Sequence, residues 1–265
     1  MVTMDHDVIK SRKNPRIQRI KKLLYSGSYR QSEKAFIIEG VRLVEEAITS
    51  GWVIQELYIS DRLSERGKAL FANMVTPDCA RFQVSDTVMA DLTDTETPQG
   101  ITAVLHQHEM EFPDRPDYLL VLDAVRDPGN VGTILRTASA AGVNAVLIAP
   151  ETADPFSPKV LRAGMGAQLK LPVSQCSWEK ISSLIHAQSG MKTLLADSGD
   201  GTSLWEENLT KAIALIVSNE ASGPSPSARD LADRIITIPM PGSCESLNAA
   251  IAASLLMYEV VRQRR

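Results

Sequence analysis

The sequence predicts an α/β protein whose larger part is a mostly parallel sheet with helices on both faces. Three observations lead there. Short apolar strands alternate with helical stretches along most of the 265 residues. Tyr118-Leu-Leu-Val-Leu-Asp123 is an uninterrupted apolar run, the mark of a parallel strand buried on both faces. Several strands end abruptly in small, polar, turn-forming residues, as strands that feed helices do. The apolar fraction of 44% is near the globular norm and implies a sizeable core.

The elements follow in order. Residues 15–24 read as a helix. Ala35-Phe-Ile-Ile-Glu39 is a strand that runs directly into a helix from Val41 to Thr49. Ile54 to Ile59 is a second strand, Ser64 to Met74 a helix, and Ala80 to Val84 a third strand. Ser85 can cap a short helix, because its hydroxyl accepts from an orphan amide. Ile101-Thr-Ala-Val-Leu105 is a fourth strand. Residues 1–105 thus form a smaller α/β unit. Residues 106–117 are polar, contain two prolines and read as a linker; His106 and His108 there have no matching ligand cluster.

Residues 118–265 form the second unit. After Tyr118–Asp123 comes a helix from Val131 to Ala141, with Asn130 a natural N-cap and Gly142 its end. Strand Ala145 to Ala149 follows, then a short helix near Lys159 to Gln168 and a helix from Ile181 to Gln188. Lys192 to Ala196, Ile213 to Val217 and Ile235 to Ile238 are further strands. The last helix runs from about Ser246 to Arg262, its Leu247, Ile251 and Leu255 giving one apolar stripe.

Composition narrows the function. Cys79, Cys176 and Cys244 are odd in number and widely spaced, so they make neither a disulfide framework nor a zinc pattern and read as reduced cytoplasmic thiols. No metal site is expected. The N-terminus lacks an apolar run, and the stretch from Ala249 to Val261 is too short and too interrupted to span a bilayer. The net charge of −4 hides an asymmetry: residues 8–42 carry +8 and the remainder −12. A basic block that includes Lys10, Arg12, Lys13, Arg16 and Arg19 is a plausible phosphate-binding footprint on an acidic protein. A solvated helix face or a disordered arm is the other reading.

Three segments at strand ends carry the chemistry. The first is Asp127-Pro-Gly-Asn-Val-Gly-Thr-Ile-Leu-Arg136, a turn that opens a helix. It lacks the Gly-Lys-Ser/Thr of a phosphate loop and the Gly-x-Gly-x-x-Gly of a dinucleotide fold, which disfavours a dehydrogenase. The second is Ser218-Asn-Glu-Ala-Ser-Gly-Pro-Ser225, where Glu220 can accept from loop amides or a ligand. The third, Pro239-Met-Pro-Gly-Ser-Cys-Glu-Ser-Leu-Asn248, ends at a helix N-terminus whose orphan amides can receive an anion, with Ser243 or Ser246 as a possible cap. Open α/β sheets bind ligands beyond the carboxyl ends of their strands, so the three loops are expected to form one site. The residues alone support a ligand-binding α/β enzyme with a basic N-terminal part.

Together these segments resemble the three motifs of the SpoU (TrmH-like) family of RNA 2′-O-ribose methyltransferases, of the SPOUT class. Asn130, Gly132, Arg136 and Ala138 match the first motif; Asn219, Glu220 and Gly223 the second; Ile238, Pro239, Met240, Gly242, Ser246, Leu247 and Asn248 the third. Ser-Glu-Lys-Ala-Phe-Ile-Ile-Glu-Gly40 and Thr97-Pro-Gln-Gly-Ile101 also resemble the family's N-terminal substrate-binding domain, which is similar to kink-turn-binding ribosomal proteins. The resemblance implies a trefoil knot in the second unit, S-adenosylmethionine as cofactor and a homodimer. It implies that Ser218, Asn219, Gly223, Ile238, Met240, Gly242 and Leu247 hold the cofactor. It implies that Arg136 acts on the ribose 2′-hydroxyl, with Asn130, Glu220, Ser246 and Asn248 at active-site positions. The implied reaction is an in-line displacement in which the 2′-oxygen attacks the sulfonium methyl. The second motif departs from the family at Ser218 and Ala221, where glycine is usual; if that backbone needs positive φ, serine there costs about 1 kcal/mol. Large-subunit ribosomal RNA is the expected substrate. A transfer-RNA methyltransferase and a non-catalytic RNA-binding or ribosome-assembly factor of the same fold are the alternatives.

Overall fold

The computed structural model describes residues 8–73, 79–95, 97–108, 110–199, 201–243 and 246–265. The chain divides into two units, Met1–His108 with Phe156–Arg162, and Glu109–Pro155 with Ala163–Arg265.

In the first unit, helix α1 (Pro15–Tyr25) starts where the sequence expects it: Pro15 opens the helix and the Asn14 side chain accepts from the Arg16 amide at 2.9 Å. Ile17, Ile20, Leu23 and Leu24 recur at three- and four-residue spacing and are buried in a cluster with Ile37, Tyr58, Phe82, Val84, Val88 and Met89. Helix α2 (Gly27–Glu33) is too short to announce itself by periodicity. It forms because Ser26 caps it and because Arg30, buried, donates to the carbonyls of Leu23 and Leu24 and so closes the end of α1. Strand β1 (Ala35–Glu39), helix α3 (Val41–Thr49) and strand β2 (Ile54–Ile59) lie as expected. Helix α4 spans Glu65–Asn73, and the last residue of its predicted range, Met74, lies outside the described residues. Strand β3 (Ala80–Gln83), helix α5 (Asp86–Asp91), which Ser85 caps, and strand β4 (Ile101–His106) follow. The sheet order is β1-β4-β2-β3, with β4 antiparallel to both neighbours and β2 parallel to β3. Gly100 has φ +76°, and a Cβ there would stand 2.6 Å from the Leu63 nitrogen, so the turn before β4 needs glycine.

The rest of the chain is β5 (Tyr118–Asp123), α6 (Pro128–Ala140), β6 (Ala145–Ile148), α7 (Pro158–Ala163), a 3-10 turn (Ala167–Leu169), β7 (Val173–Gln175), α8 (Trp178–His186), β8 (Lys192–Ala196), β9 (Thr202–Ser203), β10 (Ile213–Ser218), α9 (Pro226–Leu231), β11 (Arg234–Thr237) and α10 (Ala249–Gln263). The seven strands β5 to β11 form one sheet in the order β7-β6-β5-β10-β8-β11-β9, and every pairing in it is parallel. The sequence missed β7, β9 and α9, which span only two to six residues each. Strand β5 is buried along its whole length and pairs with β10 from Tyr118 opposite Ile213 to Asp123 opposite Ser218. The carboxyl ends of both strands, and the loops that leave them, therefore rise side by side.

Two expectations are corrected. Helix α6 begins three residues earlier than predicted: Asp127, not Asn130, is its cap, accepting from the Asn130 amide at 2.8 Å with Pro128 opening the helix. Helix α10 is capped by Asn248 rather than Ser243 or Ser246, and its predicted apolar stripe does not face the core. Leu247 precedes the helix, and Ile251 and Leu255 are 52% and 41% exposed. The buried face is instead Ala249, Ala250, Ala253, Leu256, Met257 and Val260. The small alanines of that face lie against β10 and α6, while Ile251 and Leu255 point away.

Candidate active site

The first strand end is organised by a buried carboxylate. Asp123 Oδ2 accepts from the Ser218 hydroxyl at 2.9 Å and from the Ser225 amide at 2.8 Å, so it ties β5 to both ends of the 218–225 loop. The next residue, Ala124, is held at φ +51°, a conformation alanine rarely adopts. Its carbonyl thereby accepts from Asn219 Nδ2 at 3.1 Å. Asn219 Oδ1 turns back to the amides of Ala221 (2.8 Å) and Ser222 (3.3 Å), and the Gly223 amide closes the loop on the Asn219 carbonyl at 3.0 Å. Gly223 carries the one left-handed φ in this loop, +66°. Ser218 and Ala221 do not, so neither departure from the family's glycine is strained, and Ser218 gains a partner in Asp123.

The loop sets Glu220 against the other two segments. Asn248 Oδ1 accepts from the amides of Ala250 (3.0 Å) and Ile251 (3.3 Å), which commits its Nδ2 to donate elsewhere. It donates to Asn130 Oδ1 at 3.0 Å. Asn130 Nδ2 is thereby turned toward Glu220 Oε1, 3.2 Å away. The same oxygen accepts from the buried amide of Ala249. Asn130, Glu220 and Asn248, 118 residues apart at their extremes, form one directed chain of hydrogen bonds. Asn130 was free to join it because Asp127 took over the cap.

Beside this chain lies an open cleft of about 660 Å³, counting the solvent space at its mouth. Of the residues predicted to hold a cofactor, Ser218, Asn219, Gly223, Ile238, Met240 and Leu247 line it, with Glu220 and Ser246. Gly242 does not. Its neighbours Cys244 and Glu245 lie outside the described residues. Val217, Ile236, Ile238, Leu247 and Met240 give apolar walls, while strand-end and loop backbone supplies donors and acceptors. That mixture fits a ligand with an aromatic ring and polar ends. Ala196, Asp197 and Ser198 at the end of β8 also line it. Their segment looked like an ordinary strand end in the sequence, and only the β10-β8-β11 order brings it to the cleft.

Arg136 stands apart. It is exposed on α6, and its side chain makes no hydrogen bond or ion pair among the described residues. Asn130 and Thr137 share the face of α6 turned to α10, where Ser254 meets Thr137 at 3.4 Å. Arg136 is one position earlier, about 100° round the helix, on the flank of that contact.

The basic N-terminal residues divide in the same way. Arg12 pairs with Asp91 at 3.0 Å, and Arg19 with Glu33 and Glu56 at 3.1 and 3.0 Å. The Arg16 guanidinium lies over the Phe82 ring at 4.5 Å. Lys10 and Lys13 are exposed, and their side chains have no partner among the described residues. Among those residues there is no cluster of metal-ligating side chains and no helix long and apolar enough to cross a membrane. Cys79 is buried and Cys176 partly so.

Comparison with known proteins matches residues 117–258 to the SpoU rRNA Methylase family and residues 14–103 to the MRM3-like substrate binding domain. The chain is 34% identical to the 23S rRNA (guanosine(2553)-2′-O)-methyltransferase RlmP of Bacillus subtilis, over 95% of this chain and 98% of that protein. It is 32% identical to a 23S rRNA (uridine(2479)-2′-O)-methyltransferase of Streptomyces viridochromogenes, over 95% and 91%. Among solved structures it resembles the SpoU methyltransferase AviRb of Streptomyces viridochromogenes in complex with AdoMet, with TM-score 0.89, 28% identity and coverage of 95% and 98%. It also resembles an AdoMet-bound rRNA methyltransferase of Sinorhizobium meliloti, with TM-score 0.86, 27% identity and coverage of 98% of both chains.

Proposed function

The chain belongs to the SpoU rRNA methylase family, and on that premise we propose that it methylates a ribose 2′-hydroxyl of large-subunit ribosomal RNA with S-adenosylmethionine as donor. The observation that carries the reading is the directed Asn248–Asn130–Glu220 chain, which draws all three motifs to the edge of one cleft. We assign residues 1–105 to substrate binding, 106–117 to the linker and 118–265 to methyl transfer; the two family matches, 14–103 and 117–258, support that division.

S-adenosylmethionine supplies an electrophilic sulfonium methyl for in-line attack by the ribose oxygen. The residues do the rest. Ile238, Leu247 and Met240 offer the apolar faces that an adenine ring needs, and the Ser218–Gly223 loop offers backbone groups for its polar parts. Asn130, Glu220, Asn248 and Ser246 form the edge on which a ribose is oriented, and positioning accounts for most of the rate. A guanidinium does not act as a base, so Arg136 is given another part. Its role is to orient the 2′-hydroxyl and to stabilise the alkoxide charge that develops on it. The proton passes to an RNA phosphate.

Purified protein given S-adenosylmethionine labelled in the methyl group and protein-free large-subunit ribosomal RNA is expected to leave label on a ribose, making one phosphodiester resistant to alkali. Absence of cofactor binding by calorimetry, together with absence of label, sinks the reading.

A homodimer is part of the same proposal. Ile251, Leu255 and Tyr258 recur along one exposed side of α10, at 52%, 41% and 52% exposure, and three large apolar residues in a row are costly to leave in water. Leu255→Asp is expected to yield a monomer by sedimentation at concentrations where the parent protein is dimeric. The trefoil knot is supported by the path of the chain, which goes from β10 across β8 to β11 and back to α10 against β10 and α6.

A further inference from the structure

The basic block of the first unit is not one surface. Along α1, Arg19 and Lys21 are neutralised by Glu33, Glu56 and Asp91, and Arg12, just before the helix, also pairs with Asp91. Arg30 is spent inside, on the carbonyls of α1. The outward stripe between Arg19 and Lys21 carries no ion pair among the described residues. Gln18, Lys22 and Tyr25 are all exposed and fall within about 60° of one another around the axis. The Lys22 ammonium has no carboxylate in ion-pairing reach among the described residues and instead sits 5.6 Å from the centre of the Tyr29 ring on α2. Tyr25 is 71% exposed, the most exposed of the large hydrophobic side chains described. Lys13, exposed and unpaired, lies just ahead of the helix.

We propose that this Gln18–Lys22–Tyr25 stripe of α1, with Tyr29 beneath Lys22, is the surface on which the first unit takes single-stranded RNA, Tyr25 stacking on an unpaired base and Lys22 meeting phosphate. The inference rests on the RNA methyltransferase reading and names where its substrate is gripped. Charge selects the occupant: a polyanion is drawn to a stripe whose cation is not already neutralised, on a chain that is otherwise acidic. An exposed aromatic ring beside a free ammonium is the combination that holds unstacked bases without reading sequence. An ion-paired face offers RNA less, because each contact there first breaks an internal pair.

The test is fluorescence anisotropy of the full chain with labelled single-stranded RNA, repeated with protein-free large-subunit ribosomal RNA as competitor. Tyr25→Leu is expected to weaken binding about five- to a hundredfold, and Tyr25→Phe, which keeps the ring, to restore it. Lys22→Gln is expected to lower the slope of log affinity against log salt by about 0.7, whereas Lys21→Gln leaves that slope in place. All four variants alter exposed or half-buried side chains, and S-adenosylmethionine affinity by calorimetry is expected to stay unchanged in each. If the parent protein binds and methylates RNA while Tyr25→Leu and Lys22→Gln bind it as well as the parent does, this surface is wrong and the enzyme reading stands. If Tyr25→Phe is as weak as Tyr25→Leu, stacking is wrong. If the parent protein binds neither RNA nor cofactor, both readings fall.

Discussion

Arg136→Ala is expected to lower methyl transfer about a hundred- to a thousandfold while leaving S-adenosylmethionine affinity within about twofold. The size follows from its proposed role. A single positioned donor facing a developing oxyanion is worth that much when bound substrate covers it. The selectivity follows from its placement. Arg136 lies outside the cleft lined by Ser218, Ile238 and Leu247, and its side chain makes no hydrogen bond or ion pair among the described residues. Its removal therefore leaves the fold and the cofactor walls alone, and the melting temperature is expected to hold. Single-turnover kinetics with saturating RNA, paired with calorimetry, measure the two quantities separately. Turnover at the parent rate would remove Arg136 from the chemistry.

The second large effect is expected at Asn248, whose side chain does two jobs with two ends. Its oxygen caps α10 and its nitrogen holds Asn130. Asn248→Ala loses both, so about 1 kcal/mol of cap stability is lost along with the alignment of the ribose edge. Asn248→Asp separates them. A carboxylate still accepts from the Ala250 and Ile251 amides, and a negative charge at a helix N-terminus is favourable. It has nothing to donate to Asn130 Oδ1, and Asn130 is released from Glu220. Methyl transfer is expected to fall about a hundredfold in Asn248→Asp, with a melting temperature at or above that of the parent protein. An Asn248→Asp enzyme that keeps its rate would show that the directed chain is only a scaffold for the cap.

How far the sequence reaches can be seen in these residues. The alternation of apolar strands and helices marks β1, α3, β2, β5, β8 and β10 within a residue or so, because burial sets those patterns locally. Elements held by a few tertiary bonds are invisible to that logic: α2 exists through Ser26 and Arg30, and β9 through two pairings with β11. The end of β8 could not be assigned to the cleft, since strand order is a non-local property. Asn130 was misread as a cap because the cap and the site draw on the same residue types, and only the competing Asp127 decides between them. The outward face of α10 was misread for a related reason. An apolar stripe says that something covers it, not whether the cover is this chain or another.

The strand pair β5–β10 acts as a ruler. Six consecutive residues of each lie in register, and the final step places Asp123 beside Ser218, from which two of the three motif loops depart. The chain between these strands can lengthen or shorten at its far turns without shifting that final step. Substrate preference in such a protein is therefore free to drift through changes in its peripheral turns and its first unit, while the reacting centre keeps its dimensions.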